Sequence, residues 1–255
     1  MPELQLAFFG ATGGCTCSCL AHSIEAGYKC SALVRNPKKL ATALEAQGIS
    51  AREQKALLKV VEGDVKDGHT VRNTLHIDGR LVDKIISGIG GVPQPQLSLF
   101  RPLTMAEGAI CSDGTRTILA ALGTATGAGR KPTMAVISSI GVQQDLPRDY
   151  PLMLAPLMRW MLNAAFDDKR DMEKQLKDSV REGNASPLES YIIVRPTVLA
   201  DGDSKGLGAI REGVDGDPVI GWSISRADVG LWMFTRFVKE DVEKIFENTG
   251  ICITY

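Results

Sequence analysis

Short apolar runs alternate with longer amphipathic stretches along the 255 residues of this chain. The apolar runs predict strands at 4–9, 28–34, 57–61, 81–86, 134–140, 190–194 and 218–222, and a final edge strand at 251–254. The stretches between them predict helices at about 14–26, 36–47, 67–75, 104–126 and 156–180, and one that starts at Ser225. Strands that alternate with helices in this way predict an α/β fold, a Rossmann-type doubly wound parallel sheet, in a single domain over 1–255.

The first apolar run ends in a glycine-rich turn, and a helical stretch begins directly after it. Gly10 permits a tight turn, and Gly13 lets the backbone approach a pyrophosphate. A strand, a glycine turn and a helix N-terminus in this order favour a dinucleotide-binding site over a purely structural turn. Thr16 replaces the third glycine of the usual pattern, and its hydroxyl could add a phosphate contact. The predicted phosphate-binding residues are Gly10, Thr12, Gly13, Gly14, Cys15 and Thr16.

The end of the second predicted strand carries cations where an NAD site usually has a carboxylate. Arg35 ends this strand, and Lys38 and Lys39 follow it. A carboxylate at that place binds the ribose hydroxyls of NAD, whereas Arg and Lys suit the 2′-phosphate of NADP. Arg35, with Lys38 or Lys39, therefore predicts NADP(H) as the cofactor, and Arg35 and Lys38 are the predicted binding residues. The alternative is a solvated basic loop.

Two later strand ends complete the predicted nucleotide site. Asp64 and Val65 follow the third strand, where Asp64 could bind the adenine amino group and Val65 could pack on the ring. Gly88, Ile89 and Gly90 form a second glycine-rich turn after the fourth strand, where small residues leave room for the nucleotide. Both places are expected at the same edge of the sheet as the first turn.

The substrate side of the site is predicted in three segments, at about 92–105, 141–168 and 198–220. The stretch 92–103 contains prolines and has no clear period, so it predicts an irregular loop over the site. The glycine-containing stretch 200–217 predicts a mobile flap with at most a short helix at 207–211. Three methionines could line an apolar pocket or pack in the core, namely Met153, Met158 and Met161.

Composition limits the partners. The net charge of −1 at pH 7 argues against nucleic acid or an anionic membrane as the main partner. No segment resembles a signal peptide and no apolar run has the length of a membrane span, so we expect a cytoplasmic protein.

Cys15, Cys17 and Cys19 lie two residues apart, and such residues point away from one another on a helix. We therefore expect no metal site.

Several short motifs occur in the order typical of one protein family: FFGATGGCT, LVRNPKKL, EGDV, ISGIGG, ISSIG, YIIVRPTVL and ISRADVG. Through them, nearly the whole chain resembles the atypical short-chain dehydrogenase/reductases, and most of all the NmrA-like and biliverdin-reductase-type NAD(P)H-binding proteins. The resemblance implies a Rossmann fold with NADP(H) across the strand ends. It also implies that Pro196, Thr197 and Val198 lie near the nicotinamide, with backbone groups of Pro196 and Thr197 on its carboxamide.

The catalytic residues of the wider superfamily are only partly present. Classical members use a Ser together with a Tyr and a Lys four residues apart, a spacing that places both on one helix face. Tyr150 is followed by Leu154 at that spacing, and Lys169 is preceded by Ala165, so the pair is missing. The resemblance therefore leaves the proton donor open.

Three residues remain as catalytic candidates. Ser138 stands where a donor to the substrate oxygen belongs, Tyr150 could reach the substrate from a loop, and Lys169 could hold the nicotinamide ribose. Each has a structural alternative: an ordinary strand-end serine, an aromatic residue at the rim, and a surface ion pair with Glu173. The aspartates at 167–168 could act as an acid or a base if they are buried.

These residues favour an NADPH-dependent oxidoreductase that reduces a small or medium-sized apolar carbonyl, enone or imine compound. The proton would come from solvent, from Tyr150 or from Ser138. Two other functions stay open: an NADP(H)-binding sensor or regulatory protein without turnover, and a non-redox isomerase or cyclase built on the same fold. We expect a monomer or a homodimer with a small-molecule substrate.

Overall fold

One mostly parallel sheet organises the chain. The computed structural model describes residues 4–91, 93–95, 103–125, 130–143, 147–154, 156, 163–181, 183–239 and 246–255. The strands are β1 (Gln5–Phe9), β2 (Lys29–Val34), β3 (Leu58–Glu62), β4 (His76–Ile77), β5 (Arg80–Leu81), β6 (Lys84–Ser87), β7 (Pro93–Pro95), β8 (Leu103–Met105), β9 (Thr133–Ile137), β10 (Tyr191–Pro196), β11 (Val198–Ala200), β12 (Arg211–Val214), β13 (Ser223–Ser225) and β14 (Thr249–Thr254). The α-helices are α1 (Gly14–Glu25), α2 (Pro37–Glu45), α3 (Ala51–Leu57), α4 (Gly68–Thr74), α5 (Ile110–Ala125), α6 (Asn163–Arg181) and α7 (Arg226–Trp232). A π-helix, Met233–Lys239, continues α7, and 3₁₀ turns lie at Leu152–Leu154, Gly183–Ala185 and Leu207–Ala209.

The main sheet has the strand order of a doubly wound fold. Its order is β12-β14-β10-β9-β6-β1-β2-β3, and every neighbouring pair is parallel except β12 with β14. Strands β2 and β6 pair with β1 from opposite sides, so the winding of the chain reverses there. In such sheets a crevice opens at this reversal, beyond the carboxyl ends of the strands. The predicted single-domain α/β fold of the Rossmann type is confirmed.

Alternating side chains build a core on each face of the sheet. In β1, Leu6 and Phe8 belong to the cluster on the side of α1 and α7, together with Trp232. Phe9 belongs to the cluster on the other side, together with Ile118 of α5. All five side chains are at most 1% exposed. Burial on both faces explains why the strand is a continuous apolar run, and it holds the start of the following turn in place.

The C-terminal part of the sheet differs from the prediction. The segment 251–254 is not an edge strand, because β14 lies between β10 and β12. The strand predicted at 218–222 is wrong, since the edge is β12, which pairs antiparallel with β14. The stretch 200–217 contains the expected short helix and also this strand, and Asp228 ties it down by accepting a 2.9 Å hydrogen bond from the amide of Lys205. Antiparallel pairing at the edge of a sheet is hardly visible in the pattern of apolar and polar residues.

The segment before α5 also differs from the prediction. The irregular loop predicted at 92–103 contains β7, which pairs antiparallel with β8. Thr104, the predicted start of the helix, lies in β8, and the helix begins at Ile110. The amide of Ser112 in the first turn of α5 donates to the carboxylate of Asp168, at 2.8 Å. A cap supplied from so far along the chain cannot be identified in the local sequence.

Candidate functional site

A cavity of about 460 Å³ opens at the carboxyl edge of the sheet, beside the reversal between β1 and β6. Most of the residues predicted to bind cofactor or to catalyse line it, namely Gly10, Thr12, Gly13, Gly14, Cys15, Thr16, Arg35, Asp64, Val65, Gly88, Ile89, Gly90, Ser138 and Lys169. The predicted residues that do not line it are Lys38, Tyr150, Pro196, Thr197 and Val198. The fold therefore brings together the glycine turns, one predicted cation and two of the three catalytic candidates.

Helix α1 begins at this cavity without a side-chain cap. Its cap residue is Gly13, and the first helical bond runs from the amide of Cys17 to the carbonyl oxygen of Gly13, at 2.8 Å. The amides of the three residues before Cys17 precede the helical hydrogen bonds. Five of the other described α-helices have side chains that accept from their first amides, namely Asn36, Ser50, Asp67, Asp168 and Ser225. An uncapped N-terminus with its favourable dipole suits an anion such as a diphosphate.

The two glycine-rich turns fit closely against each other. Gly10 has a φ of +72°, and a Cβ there would lie 2.6 Å from the carbonyl oxygen of Gly88. A Cβ on Gly88 would in turn overlap the hydroxyl of Thr16. Thr16, which stands in place of the usual third glycine, is accommodated because Gly88 has no side chain. Because Gly10 and Gly88 have no side chains, the backbone at this wall of the cavity can come close to a ligand.

Cations lie at the end of the cavity formed by β2. Arg35 lines it, and its Nη1 donates to Oε1 of Glu107 at 2.7 Å. The second lysine of the pair, Lys39, lines the cavity, and Lys38 does not. The side chain of Asn36 caps α2 by accepting a 3.1 Å hydrogen bond from the amide of Lys39, which sets the direction in which the first turn leaves the strand. Of the two lysines that the sequence offers beside Arg35, Lys39 is therefore the one that lines the cavity, and binding of a phosphate by Lys38 stays a prediction.

Two of the lining residues that are not among the predicted cofactor and catalytic residues come from the C-terminal part of the chain. Arg226, the first residue of α7, packs its aliphatic stem where a Cβ on Gly14 would be, 2.7 Å from its Cδ. Its Nη1 also forms an ion pair with Asp201, at 2.7 Å. Leu199 of β11 is the other. The ISRADVG motif contains Arg226, but only the packing of α7 on α1 shows that it reaches the cavity.

Lys169 and Ser138 meet at the opposite end of the cavity. Lys169 comes from α6 and Ser138 from the end of β9, and Nζ of Lys169 donates to the main-chain oxygen of Ser138 at 2.7 Å. Burial lowers the pKa of Lys169 below its ordinary value, although nearby negative groups act in the opposite direction. A lysine with this shift at a cavity wall is a candidate for acid–base chemistry.

Glu173, one turn after Lys169 on α6, is fully buried. It accepts a hydrogen bond from Oγ of Ser138 at 2.6 Å and another from Nε2 of Gln143. Arg195 donates its Nε and Nη2 to the two carboxylate oxygens, at 3.0 and 2.8 Å. The alternative of a surface ion pair between Lys169 and Glu173 is therefore wrong. The K-x-x-x-E spacing indicated the shared helix face, but not the depth of Glu173.

Tyr150 lies away from the cavity wall. It is half-buried and packs against a small cluster formed by Ile140, Val142, Phe166 and Cys252. Its role as a proton donor stays a prediction that this geometry does not support.

The backbone of the YIIVRPTVL motif is largely used by the fold. The carbonyl oxygen of Pro196 accepts from the amide of Ile140 at 3.3 Å, and the amide of Thr197 donates to the carbonyl oxygen of Ile253 at 3.1 Å. Val198 is half exposed and pairs with β13. A contact of this segment with a nicotinamide carboxamide stays a prediction, and Leu199 is its lining residue.

The remaining candidates have structural surroundings. Asp168 is buried as the cap of α5, and Asp167 pairs with Arg170 at the surface, so neither faces the cavity as an acid or a base. Met153 is 82% exposed and does not line the cavity. Met158 and Met161 lie outside the described residues.

The cysteines of α1 are separate buried thiols. The helix runs through Cys15, Cys17 and Cys19, and all three are at most 7% exposed. Burial raises the pKa of Cys15 and of Cys17 to about 11, so both stay protonated at neutral pH. Cys15 therefore contributes a small neutral surface to the cavity.

Comparison with known proteins agrees with this geometry. A family model described as NAD(P)H-binding matches residues 10–238. The chain is 40% identical over 262 residues to the reductase pytE of Aspergillus terreus, covering 98% of this chain and 97% of that protein. It is 32% identical over 271 residues to the oxidase pynE of Aspergillus niger, covering 93% of this chain and 94% of that protein.

Solved structures share the fold. A wide-type short-chain dehydrogenase/reductase from Veillonella parvula DSM 2008, in complex with NADP, has a TM-score of 0.70 at 16% identity and covers 99% of this chain and 94% of its own. ChuY, an anaerobilin reductase from Escherichia coli O157:H7, has a TM-score of 0.63 at 20% identity and covers 98% and 96%. Among the described residues, no helix combines the length and the apolarity needed to cross a membrane.

Proposed function

The chain belongs to the NAD(P)H-binding family and is an oxidoreductase of the atypical short-chain dehydrogenase/reductase type, and from this premise we propose that it is a reductase with a preference for NADPH. Its substrate would be a small or medium-sized apolar carbonyl, enone or imine compound. The observation that supports this proposal is the cavity itself. The uncapped start of α1 lies between a cationic end at Arg35 and a second end where Lys169 and Ser138 meet.

The residues of the cavity fit a dinucleotide. Gly10 and Gly88 leave no room for side chains between the two turns, and the first amides of α1 are suited to a diphosphate. Arg35 would hold the 2′-phosphate, and Asp64 with Val65 would contact the adenine. Through the family resemblance, the segment at 196–198 would contact the nicotinamide.

When bound, the reduced nicotinamide supplies the hydride that a carbonyl carbon accepts. The carbonyl oxygen also needs a proton, and Nζ of Lys169 holds one at the cavity wall. One N–H of this ammonium donates to Ser138 O, which fixes its direction and leaves its other protons for the substrate. Burial lowers the pKa of Lys169, which makes the proton easier to transfer near neutral pH. We therefore assign Lys169 as the proton donor.

Ser138 acts differently from the serine expected from the family resemblance. Its hydroxyl proton is directed to Glu173 at 2.6 Å, so the hydroxyl presents lone pairs, and not its proton, to other groups. Ser138 would therefore orient a substrate or a water that donates to it. Ile137 and Leu199 give the cavity an apolar surface, which suits an apolar substrate. The segments at 92–105, 141–168 and 198–220 would complete the substrate side.

Turnover of NADPH with a panel of apolar ketones, enones and cyclic imines tests the proposal. We expect one of these classes to consume NADPH, followed by the loss of its absorbance. Lys169→Met should lower kcat about 100-fold or more while NADPH still binds. Lys174→Met is the matched control, because that lysine is exposed on the same helix. Conversion of substrate without any cofactor would contradict the proposal and favour an isomerase or a cyclase.

A second function is favoured by one observation. None of the four tyrosines, all of which lie in the described part of the chain, lines the cavity. An NADP(H)-binding regulatory protein without turnover would need no proton donor, and tight binding of NADPH without turnover of the whole panel would support it. In either case we propose a cytoplasmic monomer or homodimer whose main partner is neither nucleic acid nor a membrane.

A further inference from the structure

Glu107 bridges two cations, and one of them, Arg35, lines the cavity. Its Oε1 lies 2.7 Å from Nη1 of Arg35, and its Oε2 lies 3.2 Å from Nζ of Lys66. Arg35 follows β2, Lys66 follows β3 and Glu107 precedes α5, so three separate segments meet here. Hydrogen bonds from Lys66 and Arg35 lower the pKa of Glu107, so its carboxylate is charged at neutral pH.

The carboxylate of Glu107 contacts the two cations in the way that a bound phosphate would. Each carboxylate oxygen contacts a different cation, as the oxygens of a phosphate do when Arg and Lys share it. Arg35 lines the cavity, and so does Val65, the residue directly before Lys66. Both cations are therefore at the end of the cavity where the adenosine would lie.

We propose that Lys66 is, together with Arg35, a ligand of the cofactor's 2′-phosphate, and that Glu107 occupies this phosphate site until the cofactor displaces it. The inference rests on the proposed use of NADPH. It makes Glu107 a residue that sets the preference between NADPH and NADH, because its carboxylate competes with the phosphate for the same two cations.

The competition follows from charge. Two cations and one carboxylate leave a single positive charge, and a phosphate monoester brings nearly two negative charges. A phosphate placed beside Glu107 would meet a like charge, so the carboxylate must turn away before the phosphate can bind both cations. The side chain of Glu107 is 32% exposed, so solvent is available to receive it. NADH carries a hydroxyl at this position, and its binding does not require the displacement.

Calorimetric titration of NADPH and NADH into the intact protein at low ionic strength tests the inference. Glu107→Gln keeps the size of the side chain and removes its charge, so the Kd for NADPH should fall about fivefold while that for NADH changes less than about twofold. Lys66→Met should raise the Kd for NADPH about fivefold and spare NADH. Glu25→Gln is the matched control, because that exposed carboxylate lies at the far end of α1 and should change neither value.

The nucleotide fragments adenosine 2′,5′-bisphosphate and 5′-AMP isolate the phosphate. The bisphosphate should show the same fivefold change in the Glu107→Gln protein, and 5′-AMP should show none. Unchanged or weaker NADPH binding by that variant, or an equal gain for NADH, overturns the inference and leaves the proposed function intact. Equal weakening of both nucleotides by Lys66→Met also overturns it. If the wild-type protein binds neither nucleotide, the proposed function fails as well.

Discussion

The substitution Arg195→Met tests the buried ion pair that joins β10 to α6. Arg195 is 1% exposed, and it donates to both oxygens of Glu173, which is fully buried. It also forms an ion pair with Asp215. Methionine would keep much of the apolar volume of the side chain but none of its donors. Glu173 would then remain a buried carboxylate that keeps the neutral donors of Ser138 and Gln143, and its nearest remaining cation would be Nζ of Lys177, 4.0 Å from Oε2.

The expected loss of stability is large because the carboxylate of Glu173 stays buried without its arginine. Removing one partner of a buried ion pair typically destabilises a protein by about 3–5 kcal/mol. Asp215 is 21% exposed and keeps a hydrogen bond from the amide of Gly250, so the loss of this second pair should cost less than the loss of the pair with Glu173. For a domain of this length 1 kcal/mol shifts Tm by about 2–4 °C, so the Tm of Arg195→Met should fall by about 6–20 °C.

Thermal and urea unfolding, followed by circular dichroism without nucleotide, measure this effect. Lys174→Met is the control, because it breaks the pair with Asp178 on the same helix, where the side chains are 75% and 44% exposed, and it should cost under about 1 kcal/mol. Adding Glu173→Gln to Arg195→Met should restore part of the stability, since no buried charge is then left unpaired. A cost below about 1 kcal/mol for Arg195→Met, or a double variant no more stable than the single one, would refute the reasoning.

Three further changes probe the cofactor and catalytic groups. Arg35→Ala should raise the KM for NADPH about tenfold and barely change that for NADH, and an equal rise for both would show that Arg35 does not contact the phosphate. If Lys169 donates the proton, kcat should fall as pH rises and the ammonium deprotonates, and this loss should begin below the ordinary pKa of 10.5 because burial lowers the pKa of Lys169; an alkaline limb that persists in Lys169→Met would exclude it. Gly10→Ala should cost at least about 2 kcal/mol in urea unfolding, since its φ is +72° and a Cβ would lie 2.6 Å from Gly88 O, whereas Gly48→Ala, with a φ of +86° and open space around it, should cost only about 1 kcal/mol.

The sequence predicts elements well where burial determines them. The strands of the parallel sheet are continuous apolar runs because helices cover both faces. Helix α3 has no buried residue and therefore no apolar period, and its local signal is the capping box of Ser50 and Glu53. Strand β12 is held by its antiparallel pairing with β14, which a local apolar pattern does not reveal.

The two ends of the cavity also differ in how far their residues can be predicted from the sequence. The side that we propose binds phosphate depends on one local turn, from Gly10 to Thr16, so its residue types are readable in order along the chain. The side that we propose is catalytic depends on contacts between distant segments. Ser138 and Glu173 are 35 residues apart, and Arg195 lies a further 22 along the chain. The sequence could indicate that Ser138 stands at a strand end, but not which group receives its proton.

Ser138 connects the two groups of α6 that matter for the proposed chemistry. Its main-chain oxygen accepts from Lys169, and its hydroxyl donates to Glu173. Because Lys169 and Glu173 are four residues apart on one helix face, a single strand-end serine aligns both. Arg195 of β10 forms an ion pair with Glu173. The K-x-x-x-E spacing thus separates two tasks, in which Lys169 holds a proton at the cavity and Glu173 fixes the hydroxyl beside it.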